Sequence, residues 1–149
     1  MMIISDEMKL EIKSGVNFIT HLLRVGSKRK ISEQKLKQFS NCLYEILLKR
    51  YEMYWCPDRP YMYSGYRVLR INHHMDPLIQ LAGEQCGLSQ NFLNTTLPSL
   101  EIWIDPFEVT YRFQHDSKLI LIYKYKECDS EPWSPQALKK KTCSCCCIL

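Results

Sequence analysis

An α+β fold, with an N-terminal antiparallel helix pair and further short helices packed on a small antiparallel β-sheet, follows from three features of this 149-residue sequence. Two stretches with apolar residues at helical spacing come first. Short segments with a strand's period of two come later, with helix-like pieces between them. That order gathers helices on one side of an antiparallel sheet and does not alternate as βαβ units would. The length fits one domain, and 46% apolar with 24% charged residues are ordinary globular values.

Asp6-Glu7 supply acids suited to a helix N-terminus, and Met8, Ile12, Val16, Ile19 and Leu23 then recur in steps of three or four, ending near Gly26. Lys28-Arg29-Lys30 reads as a solvated basic turn. Ser32 is a suitable N-cap for a second helix, whose stripe is Leu36, Phe39, Leu43, Ile46 or Leu47, and Tyr51. Helices joined by so short a turn pack as an antiparallel pair. In Trp55-Cys56-Pro57-Asp58-Arg59-Pro60 the two prolines forbid regular helix. Tyr61-Met62-Tyr63-Ser64-Gly65-Tyr66 is expected to run extended into a strand, Arg67-Val68-Leu69-Arg70-Ile71. Asp76-Pro77 marks a helix start, with Leu78, Ile79, Ala82 and Cys86 facing the core and Gly87 as a left-handed stop. Ser89 caps a shorter helix through Phe92 and Leu93, broken before Pro98.

Residues 100–112 are the most unusual stretch. At a strand's period Leu100, Ile102 and Ile104 share one face, and Glu101, Trp103 and Asp105 the other. The largest apolar side chain thus travels with carboxylates. That pattern admits two readings: a protein-binding surface displaying Trp103, or a strand covered on both faces with Trp103 in the core. Phe107, Val109, Tyr111 and Phe113 alternate with polar residues, residues 114–118 form a turn, and residues 119–123 form a strand apolar on both faces. Strand, turn and strand make an antiparallel hairpin. From about Cys128 the chain turns polar and is expected to be disordered.

Composition narrows the function. Three of the charges behind a net charge of +4 sit at Lys139, Lys140 and Lys141, leaving the body nearly neutral. That argues against nucleic-acid binding driven mainly by charge. Tyr61, Tyr63 and Tyr66 with Arg67 and Arg70 offer rings on which bases could stack and cations to hold phosphate, but an aromatic strand packed on helices explains them more simply. His73 and His74 are adjacent, so in extended chain they point to opposite faces, and no cysteine or carboxylate stands at ligand spacing; neither a metal site nor a cofactor is expected. No nucleophile elbow, zinc-protease motif or phosphate-cradling glycine loop is present, so an enzyme is not expected. No apolar run approaches the about 20 residues that span a bilayer, and no secretory signal precedes Ser5-Asp6-Glu7. Cys42, Cys56, Cys86 and Cys128 are scattered without C-x-x-C spacing, which points to free thiols in a reducing cytoplasmic or nuclear compartment.

The other four cysteines crowd the end. Cys146-Cys147-Ile148-Leu149 fits the C-a-a-X prenylation pattern at Cys146, and its terminal Leu points to a geranylgeranyl group. The tri-lysine patch and palmitoylation of Cys143 and Cys145 are candidate second signals for a membrane-anchored fraction. The alternative is an unmodified cysteine-rich tail or a weak thiolate metal cluster.

Trp55-Cys56-Pro57-Asp58-Arg59-Pro60, Ser64-Gly65-Tyr66-Arg67, Arg70-Ile71-Asn72-His73, Met75-Asp76-Pro77 and Trp103-Ile104-Asp105-Pro106-Phe107-Glu108-Val109 together resemble the BTG/Tob anti-proliferative family, and its short BTG members most. The likeness runs from about residue 7 to residue 123. It implies a domain over residues 7–126; the flexible, basic, cysteine-rich tail expected over 127–149 rests on its own sequence, its prenyl-like end not being a usual family feature. It further implies a non-enzymatic, monomeric adaptor that binds the exonuclease (deadenylase) subunit of the mRNA deadenylation complex and so restrains proliferation. The family's contact residues map onto Tyr66, Trp103 and Asp105, with Pro106, Phe107 and Glu108 in the same motif. Trp103 would be the anchor, Asp105 a charged contact and Tyr66 a rim contact. Some short members use the turn at residues 114–117 and the following strand to bind a poly(A)-binding protein. Gln114-His115-Asp116-Ser117 replaces that turn's glycines here, which argues against that partner.

Overall fold

The computed structural model describes residues 6–28, 30–114, 116, 118–126 and 131–136, without the side chain of Glu7. The helix pair forms as the spacing predicts. Helix α1 (Asp6–Gly26) buries Met8, Ile12, Val16, Ile19 and Leu23, and helix α2 (Glu33–Tyr51) buries Leu36, Phe39, Leu43, Leu47 and Tyr51. At roughly 2 kcal/mol per buried aliphatic side chain, this apolar seam outweighs any difference in helix propensity. Ser32 caps α2, its side chain accepting the Lys35 amide at 3.2 Å. Between the helices Arg24 clamps Glu33 through two hydrogen bonds of 2.8 and 2.9 Å.

Strand β1 (Val68–Ile71), helix α3 (Pro77–Gln85), helix α4 (Gln90–Thr96) and strands β2 (Leu100–Asp105), β3 (Glu108–Phe113) and β4 (Ile120–Lys124) complete the fold. The sheet runs β1-β2-β3-β4, every pair antiparallel. Asp76 caps α3, Ser89 caps α4, and Gly87 at φ +78° ends α3 as expected. The inner sheet face, built from Leu69, Ile71, Leu100, Ile102, Ile104, Val109 and Tyr123, lies on α1. Approach there is close. A Cβ on Gly15 would come within 2.6 Å of Ile104 Cδ1.

Two expectations are corrected. Residues 61–66 are not extended: they turn and end in a single 3₁₀ turn at Ser64–Tyr66, and the strand begins at Val68. The cause is Arg67, whose guanidinium draws the carbonyls of Pro60 and Met62 around itself. Nor is everything past Cys128 disordered: residues 131–136 pack back on α1, with the Trp133 main chain bonded to Ser14 and Asn17. Lys139, Lys140, Lys141, Cys143, Cys145 and Cys146 lie outside the described residues.

Candidate partner-binding site

The site is assembled around a buried cation. Tyr51, at the end of α2, donates its hydroxyl to the Arg67 carbonyl at 3.0 Å. The Arg67 side chain is 0% exposed and fills its donors from several segments. Nε donates to the Ile104 carbonyl at 2.9 Å, Nη1 to the carbonyls of Tyr54 and Met62, and Nη2 to the Pro60 carbonyl at 3.0 Å and to Asp105 Oδ1 at 2.9 Å. Asp105 is itself only 4% exposed and also accepts the Ser64 hydroxyl at 2.9 Å. Burial pushes its carboxyl above the usual aspartate range, against the bonds donated by Ser64 and Arg67. A buried charge needs such a partner. The pair ties the Ser64–Tyr66 turn to the end of β2.

On the outer face of the sheet the pairing Val68↔Trp103↔Thr110 places Trp103 centrally, half-buried. Arg112 lies diagonally across the hairpin with its guanidinium 5.1 Å from the Trp103 ring centroid. It also donates to Glu101 at 2.9 Å, and Arg70 approaches Glu101 from the other side at 3.6 Å. The tryptophan therefore sits beside a charge ladder crossing three strands. The turn after β2 has Pro106 followed by Phe107 at φ +73°, the pattern of a type II turn. Phe107 packs on Tyr125 with ring centroids 5.8 Å apart, and the Tyr125 amide donates to the Phe107 carbonyl at 2.7 Å. Glu108 accepts the Tyr61 hydroxyl at 2.9 Å, a bond that raises the tyrosine's pKa.

Tyr66 is 59% exposed, and its ring stacks on Tyr54 with centroids 4.8 Å apart and planes within 4°. Tyr63 meets both rings edge-on, and holds a left-handed backbone at φ +64° to do so. Tyr54 also walls an apolar groove of about 790 Å³ between α2 and α3, with Cys42, Ile46, Met53, Leu78 and Leu81. Tyr66 and the groove are thus contiguous.

Of the residues singled out in the sequence, Tyr66, Trp103, Asp105, Pro106, Phe107 and Glu108 come to one end and one face of the sheet, but unequally. Tyr66 and Trp103 present surface, Pro106 is buried, Phe107 and Glu108 are half-buried, and Asp105 faces inward to Arg67. Arg112 and Tyr54 were missed as site residues, and Arg67 and Tyr63 were read only as parts of a candidate nucleic-acid face. Arg112 was legible, since a hairpin register pairs it with Glu101 on the face of Trp103. The role of Arg67 was not, because its partners lie in three separate segments of the chain, at residue 54, residues 60–62 and residues 104–105. With Arg67 enclosed and Arg70 beside Glu101, neither arginine presents a bare cation to a phosphate. His73 and His74 are exposed in the loop before α3, and no cluster of three or more metal-ligating side chains occurs among the described residues. No helix among them is long and apolar enough to cross a membrane.

Comparison with known proteins gives this geometry a context. The sequence matches the BTG family over residues 8–123. It is 44% identical to human Protein BTG2 over 119 residues, 79% of this chain and 74% of that protein. Human Protein BTG1 is 44% identical over 115 residues, covering 76% of this chain and 66% of that one. Human Protein Tob1 is 35% identical over 117 residues, 78% of this chain but 33% of Tob1. Among solved structures, a doubly substituted FOG-3 BTG/Tob domain of C. elegans superposes with a TM-score of 0.71 at 18% identity, covering 79% of this chain and 91% of that one, and so shares the fold. Sequence match and architecture agree, and this chain is a member of the BTG/Tob family.

Proposed function

We propose that this protein is a non-enzymatic, anti-proliferative adaptor that binds the deadenylase subunit of the mRNA deadenylation complex and promotes mRNA deadenylation in the cytoplasm and nucleus. The observation carrying the reading is Trp103, a large aromatic held half-exposed on an open sheet face by Arg112. A rigid aromatic beside a ladder of paired charges has the make-up of an interface hot spot. Tyr66 extends the contact at its rim. Asp105 enters as a positioning residue, since its carboxylate fixes the turn bearing Tyr66. Pro106, Phe107 and Glu108 shape the adjoining turn. A partner docked here also reaches the apolar groove beyond Tyr54.

Pull-down of the deadenylase with the wild type and with Trp103→Ala tests the reading. The substitution should abolish capture while leaving the melting temperature within a few degrees, because the ring lies on the outer face. Retained capture by a folded Trp103→Ala protein would sink the proposal. A second reading, a direct RNA-binding module, has the exposed Tyr66–Tyr54 stack in its favour. It predicts RNA affinity that falls with Tyr66→Ala, whereas the adaptor reading predicts no measurable RNA affinity in either protein. Membrane anchoring through Cys146, with Cys143 and Cys145, is a separate proposal resting on the tail sequence alone. Cell fractionation of Cys146→Ser checks it: wild type already wholly in the soluble fraction removes the anchor.

A further inference from the structure

Residues 131–136 occupy a site on α1 that is built like a peptide receptor. The Trp133 amide donates to Ser14 Oγ at 2.8 Å, and Asn17 Nδ2 donates to the Trp133 carbonyl at 2.8 Å. Ser14 is buried and aimed by its own bond to the Leu10 carbonyl at 2.7 Å. The two side chains therefore read both main-chain groups of one residue. The indole ring lies edge-on to Phe18 at 5.7 Å and to His21 at 6.2 Å. Pro132 and Pro135 flank the motif and fix φ at two positions, which lowers the entropy lost on docking.

Among the described residues, the chain's own strap underfills this site. Beside Ser134, Pro135 and Gln136 a polar cleft of about 340 Å³ remains, walled by Lys13 and Lys37 among others. Arg24 in the same wall is already held by Glu33. A ligand with an acid after its tryptophan gains contacts that the strap lacks.

We propose that the Ser14-Asn17-Phe18-His21 face of α1 is a binding site for a proline-flanked tryptophan peptide carrying an acidic residue after the tryptophan, and that residues 131–136 fill it in cis. The site is distinct from the Trp103 surface. Phe18 touches Tyr111, on the inner side of the sheet, with ring centroids 4.6 Å apart, whereas Trp103 lies on the outer side. The two main-chain bonds orient the segment, and the ring supplies specificity and most of the affinity. Tethering gives the strap an effective concentration of roughly millimolar order, so a competitor must be the better ligand.

The test is fluorescence polarisation with a labelled peptide of residues 131–136, using the full chain. The peptide should bind the Trp133→Ala protein at least about tenfold more tightly than the wild type, whose site is filled. A peptide with Glu in place of Ser134 should bind that variant more tightly still at low salt, and one with Ala in place of the tryptophan should not bind. No binding to a Trp133→Ala protein of unchanged circular dichroism overturns the proposal, as does equal binding to both proteins. Equal affinity of the Ser134 and Glu peptides overturns the acidic preference. Should Trp133→Ala not fold, hydrogen exchange on the wild type decides instead. Excess Glu-containing peptide should speed exchange at the Trp133 amide while β2 and β3 amides stay unchanged, and an unchanged Trp133 amide overturns the site.

Discussion

Arg67 bears a charge that meets no solvent, and its side-chain bonds end on three separate segments of chain, at residue 54, residues 60–62 and residues 104–105. Arg67→Met removes the cation but leaves Asp105 buried without a counter-charge and strands the carbonyls of Pro60, Met62 and Ile104. Breaking one side of a buried pair costs about 3–5 kcal/mol, and denaturant unfolding should report a loss of that order. Arg67→Lys should recover little, because a single ammonium cannot reproduce the planar fork. Tyr63 makes the opposite kind of case. Its φ of +64° is ordinary for glycine and costs other residues about 1 kcal/mol. Tyr63→Ala keeps that strain and loses the rings of Tyr54 and Tyr66, whereas Tyr63→Gly loses the rings and the strain together. Glycine should therefore be the more stable of the two by about 1 kcal/mol, the reverse of their usual order. Equal midpoints in urea would mean that the left-handed backbone stores nothing.

The elements were legible where the chain signals locally. Ser32, Asp76, Ser89 and Gly87 mark helix ends by chemistry confined to a few residues, and each stands where that chemistry puts it. The turn at residues 60–66 escaped for the opposite reason, since its path is set by a guanidinium reaching back from Arg67. The docking of Trp133 also depends on side chains over a hundred positions earlier, Ser14 and Asn17. The cap of α3 carries a pH signature. Asp76 accepts the amides of Leu78 at 2.9 Å and Arg70 at 3.1 Å, yet burial leaves its carboxyl above the usual aspartate value. A group whose folded value is raised gives stability that is present below its unfolded value and is lost as pH rises through the folded one. Asp76→Asn keeps a capping oxygen and cannot ionise. As pH rises from about 4, the ordinary aspartate value, through the raised folded value, the wild type should therefore lose ground in melting temperature against Asp76→Asn. A gap that stays constant over that window, or moves the other way, would show that the hydrogen bonds outweigh burial.

At the scale of the whole molecule, the period-two pattern of residues 100–112 placed Glu101, Trp103 and Asp105 on one face, but could not say what covers that face. The fold divides it. Around Trp103 it stays open, while at Asp105 it is closed by the turn that Arg67 and Ser64 hold down. Tyr66 reaches the site only because that turn is bonded to β2, and Arg112 reaches Trp103 only because β3 is in register with β2. The proposed binding surface is thus a property of the formed sheet and not of the motif carrying the tryptophan. Two strands alone are marginal in water, and ordering each residue costs about 1–2 kcal/mol that a free peptide must find from the interface itself. A synthetic peptide of residues 100–112 should consequently fail to compete with the intact protein for the deadenylase, even at large molar excess. An otherwise identical competition with unlabelled intact protein should succeed. If the peptide competed as well as the intact protein, the contact would reside in residues 100–112 alone. Tyr66, Arg67 and the sheet would then drop out of the recognition surface.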